Sequence, residues 1–195
     1  MSVHGIVLAA GRSLRAGTRK ARALVQGESL LARAVATLRA GGCDDVTVVL
    51  GEDAATLAAL VPDAHTVVNP RVDDGMLRSL QLGLADAAAA RAAAAVVALV
   101  DHPHVRADTV RSLRERFVAG GATVVVPVRT GTRGHPFLIS AVGFDHLTRA
   151  AVDRTVRDVI GELGPVAEVH VDDEAVLEDL DTPGDLARAG VTAVR

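Results

Sequence analysis

Apolar residues fall along this chain in short dense runs. Runs rich in Val, Ile, Leu and Ala cover positions 3–9, 46–50, 65–68, 96–100, 123–128, 136–139 and 166–171. Each is the length of a buried strand and too short for a helix. Between them, apolar residues recur at helical spacing over 29–40, 53–60, 75–94, 107–119 and 155–163. Ser29 and Gly41 bracket the first of these as cap and stop. The alanine-rich stretch 85–95 reads as a helix running into the next strand, because alanine is the best helix former. Near-continuous apolar strands separated by helices predict a three-layer, doubly wound α/β fold of Rossmann-like type. Its sheet is mostly parallel and covered on both faces. In such folds ligands bind beyond the carboxyl ends of the strands, so the loops that follow the strands are where chemistry is expected. No repeat and no linker-like stretch interrupts the pattern, which predicts one domain over residues 1–195.

Composition narrows the function. The chain has 195 residues, a net charge of −3 and 23% charged residues. That balance argues against a nucleic-acid or membrane-surface binder, which carries a basic excess. The single cysteine, Cys43, excludes an intramolecular disulfide and fits a reducing compartment. The start of the chain has no charged segment ahead of its first apolar run, and no apolar run is long enough to span a bilayer. A cytoplasmic protein is expected. Aromatic residues make up 2%, with no Trp or Tyr, so recognition of a base would lean on backbone hydrogen bonds.

The first loop is chemically distinctive. Leu8 to Lys20 reads LAAGRSLRAGTRK, with two glycines, three arginines, a lysine and no acid. Twenty of the 21 basic residues are arginine, and Lys20 is the exception. Gly11 and Gly17 allow close approach of the backbone to a ligand, and consecutive N–H groups can form an anion nest. Arg15 and Lys20 can neutralise a triphosphate. The Walker pattern fails on spacing, because five residues separate the glycines and Thr18 follows. The Gly-x-Gly-x-x-Gly fingerprint is absent.

The segment Leu8-Ala9-Ala10-Gly11-x-Ser13-x-Arg15-x-Gly17-x-x-Lys20 resembles the glycine loop of nucleotidyltransferases that join a nucleoside triphosphate to a phosphorylated acceptor. Four further segments match in order. They are Asn69-Pro70 with Gly75-Met76-x-x-Ser79-Leu80-x-x-Gly83-Leu84, Asp101-His102-Pro103, Arg133-Gly134-His135-Pro136, and Asp179-Leu180-Asp181-Thr182-Pro183-x-Asp185-Leu186. Together they resemble the molybdenum cofactor cytidylyltransferase-like branch of the MobA-like NTP transferase family. Departures from the usual pattern stand at Ala16, Arg19, Arg22 and His102.

The resemblance implies a set of roles. Arg15 and Lys20 would act on the phosphates. Leu8, Ala9, Ala10, Gly11, Ser13, Gly17, Asn69, Gly75 and Ser79 would bind the nucleotide. Asp101 and Asp181 would hold Mg²⁺, for which hard carboxylate oxygens are suited. Arg133, Gly134 and His135 would line the acceptor pocket. The expected reaction is transfer of a nucleoside monophosphate, from CTP by preference, to a phosphorylated acceptor. Molybdopterin is favoured, with a molybdoenzyme as possible client. A phosphosugar or another phosphorylated metabolite is the alternative acceptor, and the residues do not decide among CTP, GTP and ATP. Two other readings stay open. One is a transition-metal hydrolase site built from Asp101, His102, His104 and His135. The other is a non-catalytic nucleotide-binding or cofactor-delivery protein, which could dispense with the metal carboxylates.

Overall fold

The computed structural model describes residues 1–13, 16 and 19–193. In chain order the strands and α-helices are β1 (Val3–Ala9), β2 (Leu24–Val25), β3 (Glu28–Ser29), α1 (Leu30–Ala40), β4 (Val46–Leu50), α2 (Ala54–Ala58), β5 (His65–Val68), α3 (Met76–Ala89), β6 (Ala94–Leu99), α4 (Ala107–Val118), β7 (Val124–Arg129), β8 (Thr132–Arg133), β9 (Phe137–Ser140), α5 (Ala141–Arg149), α6 (Val156–Gly161), β10 (Val166–His170), α7 (Pro183–Arg188) and β11 (Val191–Thr192). The main sheet has the order β10-β7-β9-β6-β1-β4-β5, with β8 paired to β7. Every residue of β1 is buried, and β1 pairs in parallel with both β4 and β6. That central placement explains its unbroken apolar run.

The sheet is parallel except where β9 and β8 enter it. β9 runs antiparallel between β6 and β7, and β8 is antiparallel to β7. A second, small sheet of β11, β2 and β3 carries its own apolar cluster of Ala16, Ala23, Val25, Leu30, Leu180, Leu186 and Val191. This patch ties the basic first loop to the C-terminal acidic segment, and so brings Lys20 and Asp181 to one place.

The expected helices are found with trimmed ends. Ser29 caps α1 by accepting from the Ala32 N–H at 3.1 Å, and Gly41 follows its last turn. Thr182 and Asp185 form a capping box on α7, with Pro183 opening the helix. The helix expected over 75–94 ends at Ala89, and Ala94 already belongs to β6. Alanine propensity carries the helix until the parallel pairing of β6 with β1 claims the chain.

One glycine sets how closely α3 approaches the sheet. A Cβ on Gly83 would lie 2.6 Å from Ile6 Cγ2 in the fully buried layer between α3 and β1. Ala would raise intrinsic helix stability by about 0.5–1 kcal/mol. Overpacking costs typically about 1–3 kcal/mol, so Gly83→Ala is expected to be net destabilising. Chemical denaturation of the two proteins checks the sign, which helix propensity alone would give the other way.

Candidate active site

The carboxyl ends of β1 and β6 and the N-terminus of α3 open onto one cavity of about 480 Å³. Its walls include Leu8, Ala10, Gly11, Ser13, Lys20, Gly75, Ser79, Asp101 and Asp181. These come from four of the five matched segments. Arg12, Met76 and Val100 also line it, and motif matching did not assign them a role. Arg15 and Gly17 lie outside the described residues.

Each wall has a local cause. The backbone of Gly75 has φ +89°, a conformation side chains disfavour, and it turns the chain into α3. The free N–H groups of that helix end therefore belong to the cavity wall, where they favour an anion. Met76 is 52% exposed in the first turn of α3, at the cavity, whereas Leu80 and Leu84, one and two turns further along, are fully buried. Asn69 follows β5 and is 1% exposed. Its Nδ2 donates to Ser79 Oγ at 3.0 Å while its Oδ1 accepts from the Arg71 N–H at 2.9 Å. Asn69 thus lies behind the wall and fixes the Ser79 hydroxyl that faces the cavity. Ala9 lines a smaller space beside Arg19 and Glu52.

The floor is a charge cluster. Lys20 is only 5% exposed, and its Nζ donates to Asp181 Oδ1 at 2.7 Å and to Asp101 Oδ2 at 3.2 Å. Burial pulls the Lys20 pKa down, but the hydrogen bonds and charges of the two aspartates outweigh it, and the net shift is upward. Ligand oxygens of Asp101, Asp179 and Asp181 all lie within 4.8 Å of one another. Burial, then the charges of Asp101 and Asp181, raise the Asp179 pKa. Among the described residues, Asp101 Oδ1 is buried with no hydrogen-bond partner. Crowded carboxylates and an orphaned buried oxygen are the chemistry of a hard divalent-cation site, so the residues fit such an ion. Asp179 is the member to which motif matching gave no role. Its signal was present, because residues two apart in an extended segment point to the same side.

His102 and His135 form a second group next to Asp101. Their ring centroids are 5.1 Å apart. Asp173, 4% exposed, accepts from the Arg106 N–H at 2.9 Å and from Thr109 Oγ1 at 2.6 Å, which fixes the segment after β10 to the start of α4. That segment supplies Val176 O, which accepts the His135 N–H at 2.8 Å. Arg133 is exposed, and its Nε donates to Glu168 on β10 at 2.7 Å. The Gly134 N–H donates to Pro127 O at 2.9 Å. Arg133, Gly134 and His135 are not among the residues lining the cavity. His104 turns to Glu178 at 2.7 Å, so the four residues of the hydrolase reading are not gathered at one point.

Burial first, then the neighbouring His102 and Arg157, lower the His135 pKa to about 4, against the opposing charge of Asp101. The ring is therefore expected to stay neutral at pH 7. The folded value lies below the unfolded one, so the stabilising contribution is fully present above about pH 6.5. It declines as pH falls through the interval toward the folded value of about 4. A ¹H–¹⁵N titration of the imidazole that found protonation near the ordinary value would contradict this.

Comparison with known proteins agrees with the geometry. Residues 5–167 match the MobA-like NTP transferase domain. Nicotine blue oxidoreductase of Paenarthrobacter nicotinovorans is 33% identical over 92% of each chain. The probable molybdenum cofactor guanylyltransferase of Opitutus terrae is 36% identical over 64% of this chain and 60% of that one. Among solved structures, Rv0371c of Mycobacterium tuberculosis superposes with a TM-score of 0.86 at 31% identity, over 97% of both chains. A second structure of that protein is a manganese complex, with a TM-score of 0.82 at 29% identity, over 97% of this chain and 98% of that one. Domain match, sheet order and site position agree that this chain belongs to the MobA-like NTP transferase family and is a nucleotidyltransferase.

Proposed function

We propose that the protein transfers a nucleoside monophosphate from a nucleoside triphosphate to a phosphorylated acceptor, with molybdopterin as acceptor and CTP as favoured donor. The whole chain acts as one nucleotidyltransferase domain in the cytoplasm, and a molybdoenzyme is its possible client. The observation that carries this reading is the cavity floor, where Lys20, Asp101, Asp179 and Asp181 meet beneath the glycine loop and the start of α3. A nucleotide-binding or delivery protein has no need of three carboxylates crowded around a buried ammonium. Among the described residues, no helix is long and apolar enough to cross a membrane.

In the proposed reaction an oxygen of the acceptor phosphate attacks the α-phosphorus. The bond from that phosphorus to the bridging oxygen breaks, and pyrophosphate leaves with the electron pair. The attacking phosphate is already ionised, so no general base is required. The protein's contribution is positioning and charge stabilisation. Amides around Ala10 and Gly11, the Ser13 hydroxyl and Arg15 hold the leaving phosphates. Leu8, Ala9 and Gly17 would contribute to nucleotide binding, and Ser79, fixed by Asn69, binds beside Gly75 at the helix start. Lys20 neutralises charge that builds at the α-phosphate. Asp101 and Asp181, with Asp179 beside them, would hold Mg²⁺, which supplies charge neutralisation to the phosphates when bound. Arg133, Gly134 and His135, which lie outside the lining of that cavity and beside His102, would form a separate acceptor wall where the neutral His135 ring offers a hydrogen bond.

The test is pyrophosphate release with Mg²⁺, each of the four ribonucleoside triphosphates in turn, and molybdopterin present or absent. Release with CTP only when molybdopterin is present is the expected result. Release with GTP instead would correct the donor. Mg²⁺-dependent triphosphate binding without release would discard molybdopterin and direct the search to phosphosugars. A parallel assay for oxidation or reduction of nicotine blue covers the oxidoreductase named among the relatives.

A further inference from the structure

Lys20 and a divalent cation call on the same two carboxylates. The ammonium takes Asp181 Oδ1 at 2.7 Å and Asp101 Oδ2 at 3.2 Å, so one charge spans two carboxylates of the acidic cluster. A cation bound by Asp101 and Asp181 at the short distances of a hard ion would draw those oxygens together. The ammonium would then meet a doubly charged neighbour in a buried site. Two cations crowded into one small cluster repel, so each weakens the hold of the carboxylates on the other.

The lysine is built so that its side chain can leave. Its backbone is anchored in a short turn, Lys20–Arg22, with the Lys20 N–H donating to Ser13 Oγ at 3.3 Å and Lys20 O accepting from the Ala23 N–H at 3.0 Å. A four-carbon stem with rotatable bonds carries the ammonium from that anchored turn to the two carboxylates. It ends beside a cavity whose other walls, the Gly11 loop and the start of α3, are suited to phosphate. The sequence uses arginine at every other basic position. An arginine fork would hold carboxylates in fixed bidentate geometry, whereas an ammonium on a flexible stem can exchange one oxygen partner for another.

We propose that Lys20 is a placeholder cation, which neutralises Asp101 and Asp181 until metal and nucleotide arrive together and then passes from the carboxylates to the phosphates. The inference rests on the reading of these aspartates as metal ligands. It makes metal and triphosphate binding mutually dependent through one side chain, a coupling that is reciprocal by linkage. Without nucleotide, Lys20 opposes the metal. With nucleotide, the displaced ammonium gains phosphate oxygens and the opposition ends.

The test measures Mn²⁺ binding to the full chain by electron paramagnetic resonance, first alone and then with the α,β-methylene analogues of CTP and GTP. It compares wild type with Lys20→Met, Lys20→Gln and Lys20→Arg. Lys20→Met and Lys20→Gln are expected to bind Mn²⁺ alone about tenfold more tightly than wild type, a modest coupling for a charged pair. The increase in Mn²⁺ affinity caused by the triphosphate analogue is expected to be largest in wild type. Lys20→Arg keeps the charge and is expected to bind Mn²⁺ alone as weakly as wild type. Equal Mn²⁺ affinity of wild type and the uncharged variants would overturn the placeholder and leave the metal site standing. Failure of every protein to bind Mn²⁺, with or without the analogues, would overturn the metal site and the placeholder with it. Two uncharged variants of different polarity are used so that misfolding of one does not remove the comparison.

Discussion

Replacing Lys20 with alanine is expected to lower turnover about 100-fold or more, the scale seen when one positioned electrostatic donor is removed. The geometry argues for a large effect. Lys20 is almost fully buried, and Asp101 and Asp181 direct its ammonium to the cavity floor. A surface lysine at the same distance from substrate would be screened and would matter little. The loss should appear mainly in turnover, because the ammonium meets the α-phosphate most strongly as charge builds there. Activity within a few-fold of wild type would remove Lys20 from the reaction. Steady-state kinetics at saturating triphosphate, on protein shown to be folded by circular dichroism, makes the measurement.

The second large effect is expected at Asp101. Asp101→Asn keeps the side-chain shape and replaces a charged oxygen with an amide. Charge stabilisation by a bound cation is worth several kcal/mol, and each 1.36 kcal/mol is tenfold in rate, so a loss of about a thousandfold is expected. The concentration of Mg²⁺ needed for half-maximal rate should rise in the same variant. Asp101 Oδ2 accepts from Lys20, but among the described residues its buried Oδ1 has no hydrogen-bond partner, which leaves one oxygen for a cation. Asp173 makes the contrast. It is more deeply buried, but it accepts from Arg106 N, Thr109 Oγ1 and Ala175 N, and its loss should lower stability and leave the metal requirement unchanged. An Asp101→Asn enzyme with an unaltered Mg²⁺ requirement would contradict the assignment.

Much of the fold was legible because its signals are local. Unbroken apolar runs mark the central strands, and Ser29, Thr182 and Pro183 mark helix starts through their own side chains. What was not legible depends on distant pairings. Nothing within Phe137–Ser140 says that β9 runs antiparallel between β6 and β7, since direction is set by where the chain turns back. The helix α5 follows β9 at once, starts without a side-chain cap and lay in sequence assigned to no element. The two-residue strands of the small sheet are too short for any periodicity to register.

The candidate site divides the same way. Motif spacing selected residues that converge on one cavity, although Lys20 meets Asp181 across 161 positions of chain. The same motifs did not separate residues on the wall from residues behind it. Asn69 and Ser79 were read alike, yet one faces the cavity and the other holds it in place. Asp179 stands in the last matched segment without a role of its own, and joins the cluster because its carboxylate lies within 4.8 Å of those of Asp101 and Asp181.

The central claim is that a nucleoside monophosphate moves and pyrophosphate leaves. The most direct measurement uses triphosphate labelled at either the α- or the γ-phosphorus, incubated with the protein, Mg²⁺ and molybdopterin. The account predicts α-label in the acceptor product and γ-label in pyrophosphate. γ-Label in the acceptor, or release of both labels without any modified acceptor, would contradict it.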